Sequence, residues 1–356
     1  MNELAETLSA GSGADTVASW GKTEFETTQA RWLPTGVRVT DGQAFTVFTE
    51  GNLDVGLGVP LEPRHLYWYR IGATGSPRNL ASNFETLTAQ GSGELYLTIR
   101  PFGFYWDNPT GSYPAEVAAA EGLPTNLAAV TVAWKDDPEQ AIEQLSSPGN
   151  LSSAAASAAR SDLQSKKQLP EGFDHLHILG RSNTFSQWRG DERHGIHAQT
   201  SDEVGIVKVP LDVPLTDSTS IEFDWRYISL PALGPETEAG FHDYISIAVE
   251  FDNGQDITWF WSANLEAGSS FRCPLPWWDT RETHIVLQSG TPELGKWFSH
   301  QRLVKADYLN AVGGKAPERI VGVWFIINSV FGRQQAEAYF SDVVIRDSDE
   351  SVAIFK

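Results

Sequence analysis

The chain has 356 residues, enough for two domains, with 41% hydrophobic and 20% charged residues, the balance of a folded soluble protein. Its net charge of −20 opposes any phosphate backbone or anionic membrane surface, so nucleic acid is excluded as a partner. A single cysteine, Cys273, rules out an intramolecular disulfide framework.

Residues 1–19 carry neither a basic n-region nor an apolar h-region, so they read as a flexible tail, and the chain reads as cytoplasmic. No run of 18 apolar residues exists, so no membrane insertion is expected. Residues 20–135 contain β-type segments, among them GVRVTDGQAFTVF, HLYWYRIG, GELYLTIRPF and LAAVTVAW, separated by Gly, Asn and Pro. They predict an antiparallel sandwich. Residues 136–170 predict a short helical linker, with Asp137 as the cap and Pro138 at the first helical position, followed by an Ala-rich bridge.

Residues 171–350 carry stronger strand signals. In SIEFDWRYI, Ile221, Phe223, Trp225 and Tyr227 alternate with Glu222, Asp224 and Arg226, the period of a strand with one buried face. YISIAVEF repeats the pattern and turns through DNGQD into ITWFWS, a predicted hairpin. LVKADYLNAV predicts a short helix stopped by Gly313 and Gly314. The expected fold is all-β: two β-sandwich, jelly-roll-like domains joined by a short, partly helical linker.

Seven of the eight histidines lie in this second half. His175 and His177 share one strand face, and His194 and His197 follow in ERHGIH, a spacing that could gather a metal. His242, Asp243 and Tyr244 form the best local set for acid–base chemistry, where the Gly- and Pro-containing loop LPALGPETEAGF runs into a strand. His284 and His300 are weaker candidates. Asp224, Arg226 and Glu250 are candidate ligand-binding residues, as polar groups that a concave sheet face would present. The same alternation is also what any solvent-facing strand shows. Trp225, Trp259 and Trp261 could stack a flat ligand, but their phase with Phe223 and Ile257 assigns them to the core. Trp277 and Trp278 in CPLPWWDT cannot both point inward from an extended segment, so one of them is expected at a cleft, a partner or solvent.

Two resemblances add to this reading. The segment from about Phe173 to Ile345, with WRY in a strand, then AVEFDNG, then HIVLQSGTPELGKWFSHQRLVKADYLNAVGG and the strand IVGVWFII, resembles an uncharacterised bacterial β-sandwich family of unknown function. That family tends to place an acidic run where this chain has Ile327, Asn328 and Ser329, and acidic residues where it has Phe241, His242 and Asp243. In the first half, GELYLTIRPFGFYWDNPTGSYPAEV is similar to the calcium-dependent galactose-binding bacterial lectins. Asp107, Asn108, Gly111 and Ser112 match that turn, and the resemblance implies that any Ca2+ would sit at Asp107 and Asn108. Arg100 and Pro101 replace the first acidic ligand and Phe104 a hydroxyl residue, which depletes a site needing six to eight oxygens.

There is no phosphate-binding Gly-rich loop, no GxSxG elbow and no HExxH motif. No organic cofactor is therefore expected. Two functions follow. The first is a binding protein for a glycan or a glycosylated or small organic molecule, its site in the second domain or the interdomain cleft. The alternative is a cofactor-independent lyase, hydratase or cyclase holding an organic substrate between the domains.

Overall fold

The computed structural model describes every residue except 12, 14, 55–59, 102, 103, 107, 146–152, 165, 166, 349 and 356. The chain divides into two compact units, Met1–Lys166 and Lys167–Lys356.

In the first unit one four-stranded sheet runs Val17–Thr27, Pro124–Trp134, Ala44–Glu50, Phe84–Thr88, and a second runs Leu33–Val39, Gly93–Ile99, Tyr67–Ile71, Arg78–Asn79. Edge-on contacts of Phe25 with Tyr67 and of Phe45 with Tyr69 tie the two sheets together. The outer face of the first sheet is not left to water. Helices Asn2–Ser9, Pro138–Leu145 and Ser153–Gln164 lay Leu4, Leu8, Ala141, Ile142, Leu145, Ala156 and Ala159 against Phe48, Val130, Val132 and Trp134.

This corrects two expectations. Within the expected flexible tail, Asn2–Ser9 is a helix whose Leu4 and Leu8, one helical turn apart, face the sheet, and within the expected linker the helices Pro138–Leu145 and Ser153–Gln164 cover the first sandwich. The Ala-rich segment has little hydrophobic weight, yet its small side chains let a helix approach closely, which a count of large apolar residues does not register. The cap itself is as expected: Asp137 Oδ1 accepts the amide of Glu139 at 2.9 Å.

The second unit is a sandwich of two larger sheets. One has seven strands in the order Asp174–His175, Val204–Pro214, Arg319–Asn328, Tyr244–Phe251, Asp256–Ser262, Glu282–Ser289, Ser270–Arg272. The other has Phe185–Gly190, Arg193–Thr200, Ala336–Asp347, Ser220–Ser229 and Phe298–Leu303 in line, with Glu350–Ala353 beside Ala336–Asp347. Ile221, Phe223, Trp225 and Tyr227 of one sheet pack against Ile245, Ile247, Val249, Ile257, Trp259, Val323 and Phe325 of the other. Each core tryptophan finds an acceptor for its indole N–H: Gln288 for Trp225, Asp307 for Trp259 and the Gly290 carbonyl for Trp261. The predicted hairpin forms with Gly254 at φ 77° in its turn. The predicted helix runs Val304–Ala311 and stops at Gly313 and Gly314, both at positive φ.

One pairing departs from the hairpin rule. Strands Asp256–Ser262 and Glu282–Ser289 are parallel, with Asp256 beside Glu282 and Thr258 beside His284. All other neighbours in this sheet are antiparallel.

Candidate functional site

Two groups of side chains stand out on the second unit, one on the outer face of each sheet.

The first is a buried polar network on the seven-stranded sheet. Because Ile257, Trp259 and Trp261 face the core, Asp256, Thr258 and Phe260 face the other way, and the parallel register sets Glu282 and His284 beside them. Tyr244 and Thr258 donate to Glu282 Oε1 at 3.0 and 3.2 Å. His284 Nε2 lies 3.5 Å from the same oxygen, and Phe271 stacks on the His284 ring at 4.9 Å. His242 sits just before strand Tyr244–Phe251, its Nδ1–H donating to the Glu236 carbonyl at 2.5 Å. That bond leaves the Nε2 lone pair free to face Cys273 Sγ, 3.3 Å away. His242, Cys273, Glu282 and His284 are all buried, and their ligating atoms lie within 4.8 Å of one another.

Burial sets the protonation here. It pushes His242 down to about 3, with His284 adding to the effect, so this imidazole is neutral near pH 7. Burial and then the Glu282 charge push the Cys273 thiol far up. For Glu282 burial opposes ionisation, but His284 and the Tyr244 hydrogen bond outweigh it and hold the carboxyl low. Asp256 goes the other way, raised by burial and then by Glu282.

From Asp256 the network continues outward. Arg281 lies 3.5 Å from Asp256 and 3.4 Å from Glu250, which also takes the Lys208 ammonium at 2.5 Å and the Trp324 indole at 3.2 Å. The Arg281 guanidinium is packed by Trp277, Trp278 and Trp324, at 5.1, 5.7 and 5.2 Å from their ring centres. Trp278 is buried, while Trp277 is 38% exposed and held at φ 75°, the left-handed region that an aromatic residue rarely adopts. The WW pair therefore splits as its adjacency requires.

The second group is on the six-stranded sheet. Trp188 on one edge strand and Trp297 at the start of the other meet with ring centres 5.7 Å apart, and Tyr339 lies 5.0 Å from Trp188. His197 stacks flat on Tyr339 at 4.4 Å. These rings are half-buried, and charged groups surround them. Arg226 lies over Tyr339 at 5.2 Å and pairs with Asp191, and Arg193 lies over Trp297 at 4.7 Å and pairs with Asp224 and Asp342. Gly195 sits next to Trp188 in the sheet; a Cβ there would strike the Phe340 carbonyl of the neighbouring strand, so the position requires glycine.

The residues singled out by sequence thus fall into separate places. His242 and Tyr244 join the buried network. Asp243 does not join them; it accepts the backbone amides of Phe331 and Gly332, at 3.2 and 2.5 Å, and holds that loop. Trp277, Trp278 and Glu250 gather around Arg281, whereas Asp224 and Arg226 belong to the aromatic face of the other sheet. His175, His177, His194 and His197 join no metal-type cluster among the described residues. Asn108 bonds within its own turn, to the Ser112 amide and carbonyl and the Thr110 hydroxyl, while Asp107 lies outside the described residues. Cys273, Glu282, Trp188, Trp297 and Tyr339 were not foreseen. The alternation of Glu282 and His284 was a signal in the sequence, but its meaning depends on the parallel partner strand.

Residues 172–344 match the family described as "Protein of unknown function (DUF3047)". The match covers most of the second unit, in agreement with the resemblance read from the sequence. The two stretches in which this chain departs from that resemblance meet in space, since Asn328 donates to the His242 carbonyl at 2.7 Å. No curated protein matches the chain. Similar solved structures include the xyloglucanase domain of NopAA from Sinorhizobium fredii, 11% identical, covering 51% of this chain and 100% of that one, with a TM-score of 0.30. A family 12 xyloglucanase from Bacillus licheniformis is 12% identical, covering 51% and 96%, with a TM-score of 0.32. The family 11 carbohydrate-binding module of cellulase Lic26A-Cel5E from Clostridium thermocellum is 11% identical, covering 51% and 91%, with a TM-score of 0.25.

Proposed function

We propose that this chain is a carbohydrate-binding protein that stacks sugar rings on the outer face of its six-stranded sheet. The observation that carries this reading is the cluster of half-buried rings Trp188, Trp297 and Tyr339, with Arg193 over Trp297, Arg226 over Tyr339, and Asp224 and Asp191 paired to those guanidiniums. A pyranose offers apolar C–H faces to a π-surface and hydroxyls at its rim, so it asks for aromatic rings at the centre and charged hydrogen-bonding groups around them. A purely apolar ligand would desolvate those ion pairs and offer them no hydrogen bonds in return. The charge of −20 favours a neutral glycan over a polyanionic one.

Titration calorimetry against a panel of neutral soluble polysaccharides tests the reading. Trp188→Ala and Trp297→Ala should each weaken binding by about tenfold or more, equivalent to about 1.4 kcal/mol, while Trp277→Ala leaves it unchanged. Binding abolished by Trp277→Ala and untouched by Trp188→Ala would move the site to the CPLPWWDT loop. Loss of binding in a calcium chelator would move it to Asn108 and its turn. No heat with any polysaccharide would end the proposal.

A further inference from the structure

The buried network of the seven-stranded sheet contains an arrangement that hydrogen bonding alone does not account for. Both ring nitrogens of His284 are fully buried with no hydrogen-bond partner. Buried ring nitrogens left that way are costly, and the nearest partner on Nε2, Glu282 Oε1, stands off at 3.5 Å. Nε2 is turned toward Glu282, in the midst of three other groups that can bind a metal.

We propose that His242, Cys273, Glu282 and His284 form a structural site for a zinc-type divalent cation. Tetrahedral coordination with bonds of about 2.0–2.3 Å separates ligand atoms by about 3.3–3.8 Å. The Cys273 Sγ to His242 Nε2 distance of 3.3 Å and the His284 Nε2 to Glu282 Oε1 distance of 3.5 Å already have that spacing. Two imidazoles, a thiolate and a carboxylate are a borderline-soft set that suits zinc and not calcium or magnesium, which take oxygen. The thiolate and carboxylate together neutralise a 2+ ion, so the buried site carries no net charge.

The supporting bonds are those a metal ligand needs. The Glu236 carbonyl fixes the His242 tautomer with Nε2 inward, and the Tyr244 and Thr258 hydroxyls, both donating to Oε1, orient the Glu282 carboxylate. Four protein ligands close the shell, so the ion ties elements together and leaves no position for substrate. It would join the loop ending at His242, the end of edge strand Ser270–Arg272 and strand Glu282–Ser289. This site is on the opposite sheet from the aromatic face and is independent of glycan binding.

Cobalt(II) is the probe. The full chain, stripped with a chelator and dialysed, should take up one equivalent of Co2+ and develop a thiolate-to-cobalt charge-transfer band with the strong visible absorption of a four-coordinate ion. Zn2+ should displace it and raise the melting temperature. Cys273→Ser should lose the charge-transfer band, and Tyr244→Phe, which removes only the hydroxyl that orients Glu282, should weaken Co2+ binding about 10- to 100-fold. Absence of the band in the unsubstituted chain overturns the proposal whether or not the variants fold. So does a band that survives in Cys273→Ser.

Discussion

At the scale of single residues, the second unit is unusual in how many polar side chains it buries on a sheet face that in a plain sandwich would carry solvated groups. Asp256, Thr258, Glu282 and His284 are all buried, and they sit side by side because of one register. His300 shows the cost of such burial elsewhere. Its Nε2 lies 3.3 Å from Gln288 Oε1, its ring packs against Trp225, and burial, helped by Arg302 and opposed by Asp224, lowers it to about 4. The unfolded chain protonates this histidine near its ordinary value of about 6.5. Between those two values the unfolded state binds more protons, so His300 favours folding fully above pH about 6.5 and loses that contribution as pH falls toward 4. Urea unfolding across this window should show a smaller decline in stability for His300→Gln than for the parent chain. Equal slopes would mean that His300 titrates alike in both states. Partial exposure to solvent screens the effect, so the difference should be modest.

At the scale of elements, the strands with one buried face were legible because their period of two is a direct imprint of the sheet: Ile221, Phe223, Trp225 and Tyr227 all point into the core. The capped helix at Pro138 was legible for an equally local reason. Asp137→Ala removes the acceptor of the Glu139 amide and should cost about 1 kcal/mol of first-unit stability in chemical unfolding. A change below a few tenths would show that water replaces the cap without loss. What stayed hidden was packing between elements distant in sequence. The Asn2–Ser9 helix and the Ala-rich helix carry weak individual signals, and only the exposed face of the sheet beneath them explains why they are ordered.

At the scale of the molecule, two units each with its own core follow from length and strand content, which sequence reports well. The sites were only half legible. His242 and Tyr244 were noticed for being near one another in the chain, and their third neighbour, Asp243, turns out to serve a loop. Their true companions, Cys273, Glu282 and His284, lie far along the sequence and arrive through a strand that no hairpin rule would pair this way. The aromatic face has the same character, since Trp188, Trp297 and Tyr339 come from three strands or strand ends and share no motif.

That parallel strand pair also sets a timetable. Strands Tyr244–Phe251 and Asp256–Ser262 are joined by a tight turn and can zip locally, whereas Glu282–Ser289 must wait until the chain through residues 263–281 has travelled back along the sheet. The ligand cluster is consequently assembled late, from a hairpin already in place and an edge that docks onto it. Pulse-labelled hydrogen exchange during refolding should find the amides of 282–289 protected after those of 244–262; simultaneous protection would mean that the edge belongs to the folding nucleus. A cation held at His242, Cys273, Glu282 and His284 would then act as the latch on this late-docking edge of the sheet.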